Sequence, residues 1–187
     1  MKKMLMGLIL VFSAALTYGQ QVLVRSDQDP NVDFSKYKTF TWAPQVIDKT
    51  DNEMMFLNDL EFKALVMEAV GDELEGLGYE PDDNANLIVN FRVFDKPVRI
   101  KGITGLGTSY FGGQAYRSVS DTTTYDVKAG TLLVTLVDRK MGKMVWNGFA
   151  SGLLDGSGFV KDEVKIREAV NLIFDEYGKR APGLTRR

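Results

Sequence analysis

The side chains that could do chemistry in this chain are carboxylates, lysines, tyrosines and hydroxyls, because its 187 residues include no histidine and no cysteine. A Ser-His-Asp relay, a cysteine nucleophile and a Cys/His zinc site are therefore excluded. Asp155, Asp162 and Glu163 are the carboxylates to consider for a glycosidase-type acid pair. Spacing does not bring two of them face to face, so a solvated surface is the simpler interpretation and no catalytic residue is predicted.

Residues 102–125 form the second chemically distinctive segment, in which aromatic side chains lie among glycine, serine and threonine. Its four candidate ligand-binding residues are Tyr110, Phe111, Tyr116 and Tyr125. Aromatic rings bury a large area at a small entropic cost, which suits binding to a sugar, a peptide or a protein surface. The alternative is a hairpin whose rings fold back on a sheet. This region is the best candidate for a ligand surface.

Three short motifs resemble known sites but fail at required positions. Asp27 to Asp33 places oxygen ligands at every second position, yet Val32 and Lys38 stand where a helical calcium loop needs a glycine and a carboxylate. A polar turn is the simpler interpretation. Ser35 to Lys38 matches S-x-x-K but precedes a predicted strand instead of opening a helix. Gly105 to Tyr110 lacks the last glycine of G-x-G-x-x-G. We therefore expect neither a metal nor a cofactor.

The first nineteen residues have the layout of a secretory signal peptide. Lys2 and Lys3 precede an uncharged, mostly apolar run from Met4 to Leu16, and Gly19 provides a small residue for cleavage. That run is short for a membrane span of about twenty residues. Bacterial lipoproteins carry a cysteine just after it, and this chain has none. We expect removal of residues 1–19 and a soluble protein in the periplasm or cell envelope that is not lipid-anchored.

The elements that position these segments are read from hydrophobic periodicity. Strand patterns occupy 22–25, 39–42, 87–94, 122–128, 131–138 and 143–153. Arg139 to Gly142 predicts a hairpin turn, with Asp138 as its turn-forming residue. A first helix is predicted after the N-cap Asn58, with the stripe Leu60, Ala64, Met67, Val70, Leu74 and Leu77 and an end at Gly76 to Gly78. A second runs from about Asp162 to Tyr177, with the stripe Ile166, Val170, Ile173, Phe174 and Tyr177.

These elements predict an α+β fold with a single twisted, mostly antiparallel β-sheet of five or six strands and two amphipathic helices packed on one face. The domain is expected to span 20–178, followed by a flexible basic tail at 179–187. Trp42 and Trp146 lie beside apolar alternation and are expected in its core. The net charge of −2 gives no broad basic field, so we expect no nucleic-acid partner.

Five segments together carry a family resemblance: Asp33–Trp42 (matching D-F-S-x-Y-x-T-F-x-W), Leu77–Tyr79, Ala85–Phe91, Gly130–Asp138 and Gly142–Gly152. In this order they resemble the family called domain of unknown function 4136 (DUF4136), whose members are exported bacterial envelope proteins. Many members of that family resemble lipoproteins, whereas Gly19-Gln20-Gln21 stands here in place of the lipidated cysteine. The resemblance implies an envelope location and supplies no established activity and no catalytic residues.

The sequence thus favours an exported, non-enzymatic envelope module that binds a protein or glycan partner through residues 102–125. Two alternatives from other classes stay open at this point. One is a carboxylate-based envelope glycan hydrolase or transferase, and the other is a structural subunit of an assembly. No particular oligomeric state is favoured by the sequence.

Overall fold

The computed structural model describes residues 22–44, 60–101, 109–111, 114–116, 124–155 and 158–179. The predicted signal peptide, the predicted N-cap Asn58, parts of the 102–125 segment and the tail after Lys179 lie outside these residues. Within the part of the chain that is described, no helix is long and apolar enough to cross a membrane.

The described residues form twelve strands, two α-helices and a 3-10 turn at Phe34–Lys36. The helices are α1 (Leu60–Gly76) and α2 (Glu163–Tyr177). In chain order the strands are β1 (Val24–Gln28), β2 (Thr39–Trp42), β3 (Glu80–Pro81), β4 (Leu87–Phe94), β5 (Val98–Lys101), β6 (Ser109–Phe111), β7 (Gln114–Tyr116), β8 (Thr124–Val127), β9 (Thr131–Asp138), β10 (Lys143–Ala150), β11 (Leu154–Asp155) and β12 (Gly158–Phe159).

The main sheet has six strands in the order β1-β10-β9-β4-β2-β3. Pairing is antiparallel from β1 through β10 and β9 to β4, and β2 runs parallel to both β4 and β3. The parallel pair is possible because the chain between β2 and β4 is long enough for the crossover helix α1. The predicted α+β fold, with a mostly antiparallel sheet and two helices, is confirmed.

The turn between β9 and β10 is the predicted hairpin turn. The Met141 N–H donates to Asp138 Oδ1 at 2.7 Å, which confirms the turn-forming role of Asp138. Gly142 has φ +63°, a left-handed conformation that favours glycine. A second positive-φ residue, Gly152 (φ +111°), follows β10. The predicted strand therefore ends at Ala150 rather than Leu153, because the chain bends here.

Helix α2 confirms its prediction almost residue for residue. The Asp162 carboxylate accepts the Val164 N–H at 3.0 Å as N-cap, and Gly178 (φ +55°) closes the helix. All five residues of its predicted stripe are buried, together with Ala169. The stripe packs against β10 and β1.

Helix α1 ends at Gly76 as predicted, and Val70 and Leu74 of its predicted stripe are buried, but the other four residues of that stripe are not. Its buried residues are Phe62, Lys63, Val66, Ala69, Val70 and Leu74. Leu60 is 52% exposed, Ala64 is exposed, and Met67 and Leu77 are only partly buried. Apolar residues occur on several sides of this helix, so two stripes at three- and four-residue spacing compete. Packing favours the one that buries the large ring of Phe62.

Strand β1 also differs from its prediction, because it extends to Gln28 where a polar turn was expected from Ser26 onward. Ser26, Asp27 and Gln28 pair in register with Gly148, Asn147 and Trp146 of β10. This backbone pairing extends the strand through the polar residues. At an edge strand, this is compatible with side chains that do not enter the core.

The core lies between the helices and the sheet, and its centre is aromatic. The Trp146 ring lies 4.9 Å from the Tyr177 ring and 5.8 Å from the Phe174 ring, measured between centroids. Trp146 is therefore a core residue, as predicted, whereas Trp42 is partly buried and packs at the edge of the core.

Three buried tyrosines connect this centre to the rest of the fold. The Tyr37 hydroxyl donates to Asp138 Oδ2 at 2.6 Å, and the hydroxyls of Tyr79 and Tyr177 lie 3.0 Å apart. Burial raises the pKa of Tyr37, and its hydrogen bond to Asp138 raises the pKa further. Burial also raises the pKa of Tyr177, with a contribution from neighbouring Tyr79. For Tyr79, burial raises the pKa despite the opposing hydrogen bond from Tyr177.

These raised pKa values predict cooperative unfolding in alkali. Tyrosine ionises near pH 10 when unfolded, so the stability due to Tyr37, Tyr79 and Tyr177 is complete below about pH 10 and falls as the pH rises above it. We expect part of the tyrosinate absorbance at 295 nm to appear together with the loss of far-UV circular dichroism. Complete ionisation of all tyrosines before unfolding would contradict this prediction. The variant Tyr37→Phe should ionise one group fewer in that transition, and it should lose about 1 kcal/mol at neutral pH because Asp138 loses its donor.

A second prediction concerns Gly148, whose lack of a side chain makes room for the indole of Trp146. A Cβ at position 148 would lie 2.5 Å from Trp146 Cη2 and 2.9 Å from Ile173 Cγ2. We expect Gly148→Ala to lower the free energy of unfolding by about 1–3 kcal/mol through overpacking. The matched control is Gly71→Ala, since a Cβ at position 71 in α1 meets nothing within 4 Å. This control should be neutral or stabilising by up to about 1 kcal/mol in urea unfolding, and similar losses in both variants would refute the prediction.

Candidate functional site

The chain between β4 and β9 leaves the main sheet although these two strands are neighbours. Phe94, the last residue of β4, pairs with Thr131, the first residue of β9. Residues 95–130, which we call the arm, connect these paired residues. The Gly130 N–H donates to Phe94 O at 2.6 Å and closes the base of the arm.

The arm contains two strand ladders of its own, separate from the main sheet. β5 pairs with β8 from Val98 opposite Val127 to Lys101 opposite Thr124. β6 and β7 pair with each other between these two strands in sequence. The predicted strand at 122–128 therefore exists as β8, but its partner is β5 and it does not join the main sheet.

The predicted ligand-binding residues are divided between these two ladders. Tyr110 and Phe111 lie in β6 and Tyr116 lies in β7, so the structure brings their backbones into one ladder. Tyr110 is paired with Ala115. Tyr125 lies in the other ladder, in β8 opposite Ile100. A role for these four residues in ligand binding stays a prediction.

The described side chains at the base of the arm are mostly in contact with solvent. Val98 is 39% exposed, and the side chains of Arg99 and Asp126 are largely exposed although they form a salt bridge at 2.7 Å. Val127 is buried and anchors the base. Exposed ion pairs contribute little to stability, so the arm depends on its ladders and on this anchor.

A cleft of about 410 Å³ lies next to the base of the arm. Its walls are largely apolar and include Val22, Leu153 and Ala169, while the exposed residues Lys165 and Glu168 contribute charge. The Leu153 N–H donates to Gly130 O at 2.9 Å, so the cleft and the arm share a wall. This volume is within the range of small-molecule pockets, and an apolar group with polar substituents would fit its lining.

Two of the three carboxylates considered for acid–base catalysis, Asp162 and Glu163, have structural partners. Asp162 caps α2, and Glu163 accepts a hydrogen bond from Arg167 Nε at 2.8 Å. The side chain of Asp155 lies outside the described part of the structure. Across the described residues, no group of three acidic side chains could hold a metal ion.

Asp29 and Asp33 of the calcium-like segment lie in a polar turn, as the simpler interpretation expected, whereas Asp27 belongs to β1. Asp29 Oδ1 accepts the Asn31 N–H at 2.9 Å, and Asp29 Oδ2 accepts a hydrogen bond from Lys143 Nζ at 2.7 Å. Burial acts to raise the pKa of Asp29, but these hydrogen bonds outweigh it, so the pKa is below its ordinary value. Asp33 accepts the Ser35 N–H at 3.0 Å and caps the 3-10 turn.

Arg92 is a feature that the sequence interpretation missed. It lies on β4 between Phe91 and Val93, which belong to the core, so it points to the sheet face away from the helices. Burial lowers the pKa of Arg92, and none of the described carboxylates forms a salt bridge with it. Beside it on this face, Thr135 and Asn147 are paired in register and are 4% and 2% exposed. The sequence signal for this polar face was the alternation of Asn90 and Arg92 with apolar residues along β4.

Comparisons with known proteins identify relatives by family and by fold. A family model for DUF4136, described as a domain of unknown function, matches residues 24–177. A crystal structure of a DUF4136 family protein from Bacteroides thetaiotaomicron is 18% identical, with a TM-score of 0.53, and the match covers 83% of this chain and 95% of that one. At this identity the likeness shows the fold alone. No curated protein matches the chain.

Two further structural neighbours are more distant. A PDZ domain protein from Parabacteroides distasonis is 19% identical, with a TM-score of 0.49, over 89% of this chain and 37% of that chain. The PelC dodecamer from Paraburkholderia phytofirmans is 10% identical, with a TM-score of 0.43, over 85% of this chain and 99% of that chain. Neither likeness is strong enough to carry an argument. The family match covers all six strands of the main sheet and both helices, and this chain therefore belongs to the DUF4136 family.

Proposed function

We propose that this protein is an exported cell-envelope module that performs no catalysis and binds a protein or glycan partner through its arm. The observation that carries the proposal is the position of the arm between β4 and β9. These strands pair in register up to Phe94 and Thr131, and a two-residue turn suffices to join such a pair. The arm is therefore an addition that the main sheet does not need.

The cost of the arm supports a functional role. Fixing a backbone residue costs about 1–2 kcal/mol in conformational entropy, and the described base of the arm returns little of this through burial. Val98, Arg99 and Asp126 are exposed, and Val127 is the buried anchor. A segment that costs stability and carries aromatic residues among glycines is better explained by binding than by folding.

The cleft beside the arm extends the same surface. Gly130 at the base of the arm contacts Leu154, and Leu153 and Leu154 both line the cleft. A partner held by the aromatic residues could place an apolar group in the cleft, with Lys165 and Glu168 nearby for polar contacts. A sugar ring with its substituents or a peptide side chain has this mixed character.

The catalytic alternative is less well supported than binding. Asp162 serves as a helix cap and Glu163 pairs with Arg167, so both carboxylates are already engaged in structural contacts rather than directed at a substrate. Export is supported by the N-terminal pattern of Lys2, Lys3 and the apolar run that follows them.

Shortening the arm tests the proposal. Lys101 and Thr124 are directly paired, so replacing residues 102–123 by Asn-Gly closes the β5–β8 ladder with a favourable turn. We expect the shortened protein to keep its far-UV circular dichroism and its melting temperature within about 4 °C, because the main sheet is unchanged. Partner capture, measured by crosslinking in intact cells and mass spectrometry of the purified protein, should be lost.

A matched variant separates the aromatic residues from the arm as a whole. Tyr110→Ala, Phe111→Ala and Tyr116→Ala combined in the full-length arm should reduce capture as strongly as the shortened arm does. The control Arg99→Ala alters an exposed ion pair at the base and should leave capture unchanged. Capture of the same species by the shortened and original proteins would overturn the proposal.

A further inference from the structure

Strand β1 is an edge of the main sheet, and β10 is its one neighbour among the described strands. Edge strands carry backbone N–H and C=O groups that can pair with another strand. The other edge, β3, has two residues, and Pro81 has no N–H to donate. The sheet can therefore be extended much better at β1 than at β3.

Hydrogen bonds at both ends of β1 show which backbone groups face β10. The Ser151 N–H donates to Leu23 O at 3.1 Å, and the Asp29 N–H donates to Val145 O at 2.9 Å. Backbone groups alternate in direction along a strand, so the odd-numbered residues from 23 to 29 bond to β10. The even-numbered residues Val24, Ser26 and Gln28 direct their N–H and C=O groups outward.

These outward groups match those of a second copy of the same strand. If a two-fold axis passes through Ser26, two β1 strands run antiparallel with Ser26 opposite Ser26. Val24 then lies opposite Gln28 of the second copy. All of these residues carry outward-directed groups, so they form the hydrogen-bonded pairs of an antiparallel ladder.

The charges on β1 select this register. With the axis at Ser26, Arg25 lies opposite Asp27 of the second copy, in a position where side chains of an antiparallel pair approach most closely. Both residues are on the sheet face away from the helices, since Trp146 and Gly148 mark the helix side of β10. An axis at Arg25 or at Asp27 would instead place like charges opposite each other. The strand is therefore self-complementary in one register.

We propose that β1 is a homodimer interface, in which two chains join their main sheets into one by antiparallel pairing centred on Ser26. The partner is a second copy of this chain. The interface uses no residue of the arm, so it stands independently of the binding function proposed above. Because α2 packs against β1, the C-terminal helices of the two copies are brought towards each other on the same face of the joined sheet.

A charge exchange tests the register. The protein is produced from its full chain, and its mass is measured by sedimentation equilibrium over a range of concentrations. We expect a dimer, and we expect Arg25→Asp or Asp27→Arg alone to weaken it by at least about tenfold, since each creates two like-charge pairs. The double variant Arg25→Asp/Asp27→Arg restores opposite charges and should recover dimerisation to within about threefold of the original protein.

A proline at the axis tests the backbone pairing. Ser26→Pro removes an outward N–H and leaves the bonds to β10 in place, so the monomer should keep its circular dichroism and thermal transition while dimerisation is lost. The control Arg99→Asp places the same charge change in the arm and should leave the dimer unaffected. A monomer at all concentrations, a dimer insensitive to Ser26→Pro, or no recovery in the folded double variant would each overturn the proposal.

Discussion

The packing of Trp146 against helix α2 is the contact on which the rest of the structure depends. Its ring joins the middle of the sheet to Phe174 and Tyr177 at the end of the helix. The indole fits because Gly148, two residues along the strand on the same face, has no side chain to occupy that space. Tyr177 then contacts Phe34 and Tyr79, so the N-terminal segment and the end of α1 are positioned through this one ring. Without cysteines, this packing must hold the fold together.

The described base of the arm differs from this core in its exposure to solvent and in its strand pairing. Core strands β9 and β10 are buried along almost their whole length, whereas Val98 and Arg99 of β5 are exposed. The described strands of the arm pair as β5 with β8 and β6 with β7, so their formation adds nothing to the hydrogen bonding of the main sheet. Arg92, Thr135 and Asn147 on the sheet face away from the helices are a second departure from core chemistry, because burying a charged side chain costs free energy and no described carboxylate forms a salt bridge with the partly buried Arg92. Both features require an explanation outside folding.

Sequence reasoning predicted the fold where one local signal dominated. β2, β4 and β9 were predicted with correct bounds, because their alternation is bounded by turn residues, and the bounds of α2 were predicted to within one residue. The buried face of α1 was predicted only in part, at Val70 and Leu74, because its apolar residues allow two stripes and only tertiary packing decides between them. β8 was predicted as a strand of a single sheet, whereas it pairs with β5 outside the main sheet, since strand pairing is not local. The sequence interpretation did not single out Arg92, because the function of a polar residue in a strand depends on what covers that face of the sheet.

Pairing through the edge strand β1 determines where the two arms lie in the proposed dimer. Val24 of β1 pairs with Ala150, Ala150 pairs with Leu132, and Leu132 pairs with Val93 near the start of the arm. Val24 therefore lies at the end of the sheet from which the arm leaves. An antiparallel pair about Ser26 turns the second sheet end over end, so the two arms leave from opposite ends of the joined sheet. A dimer of this kind cannot close both arms on one small ligand. It can instead hold two separate sites on an extended partner, and linked sites of this kind raise overall binding strength without any new contact.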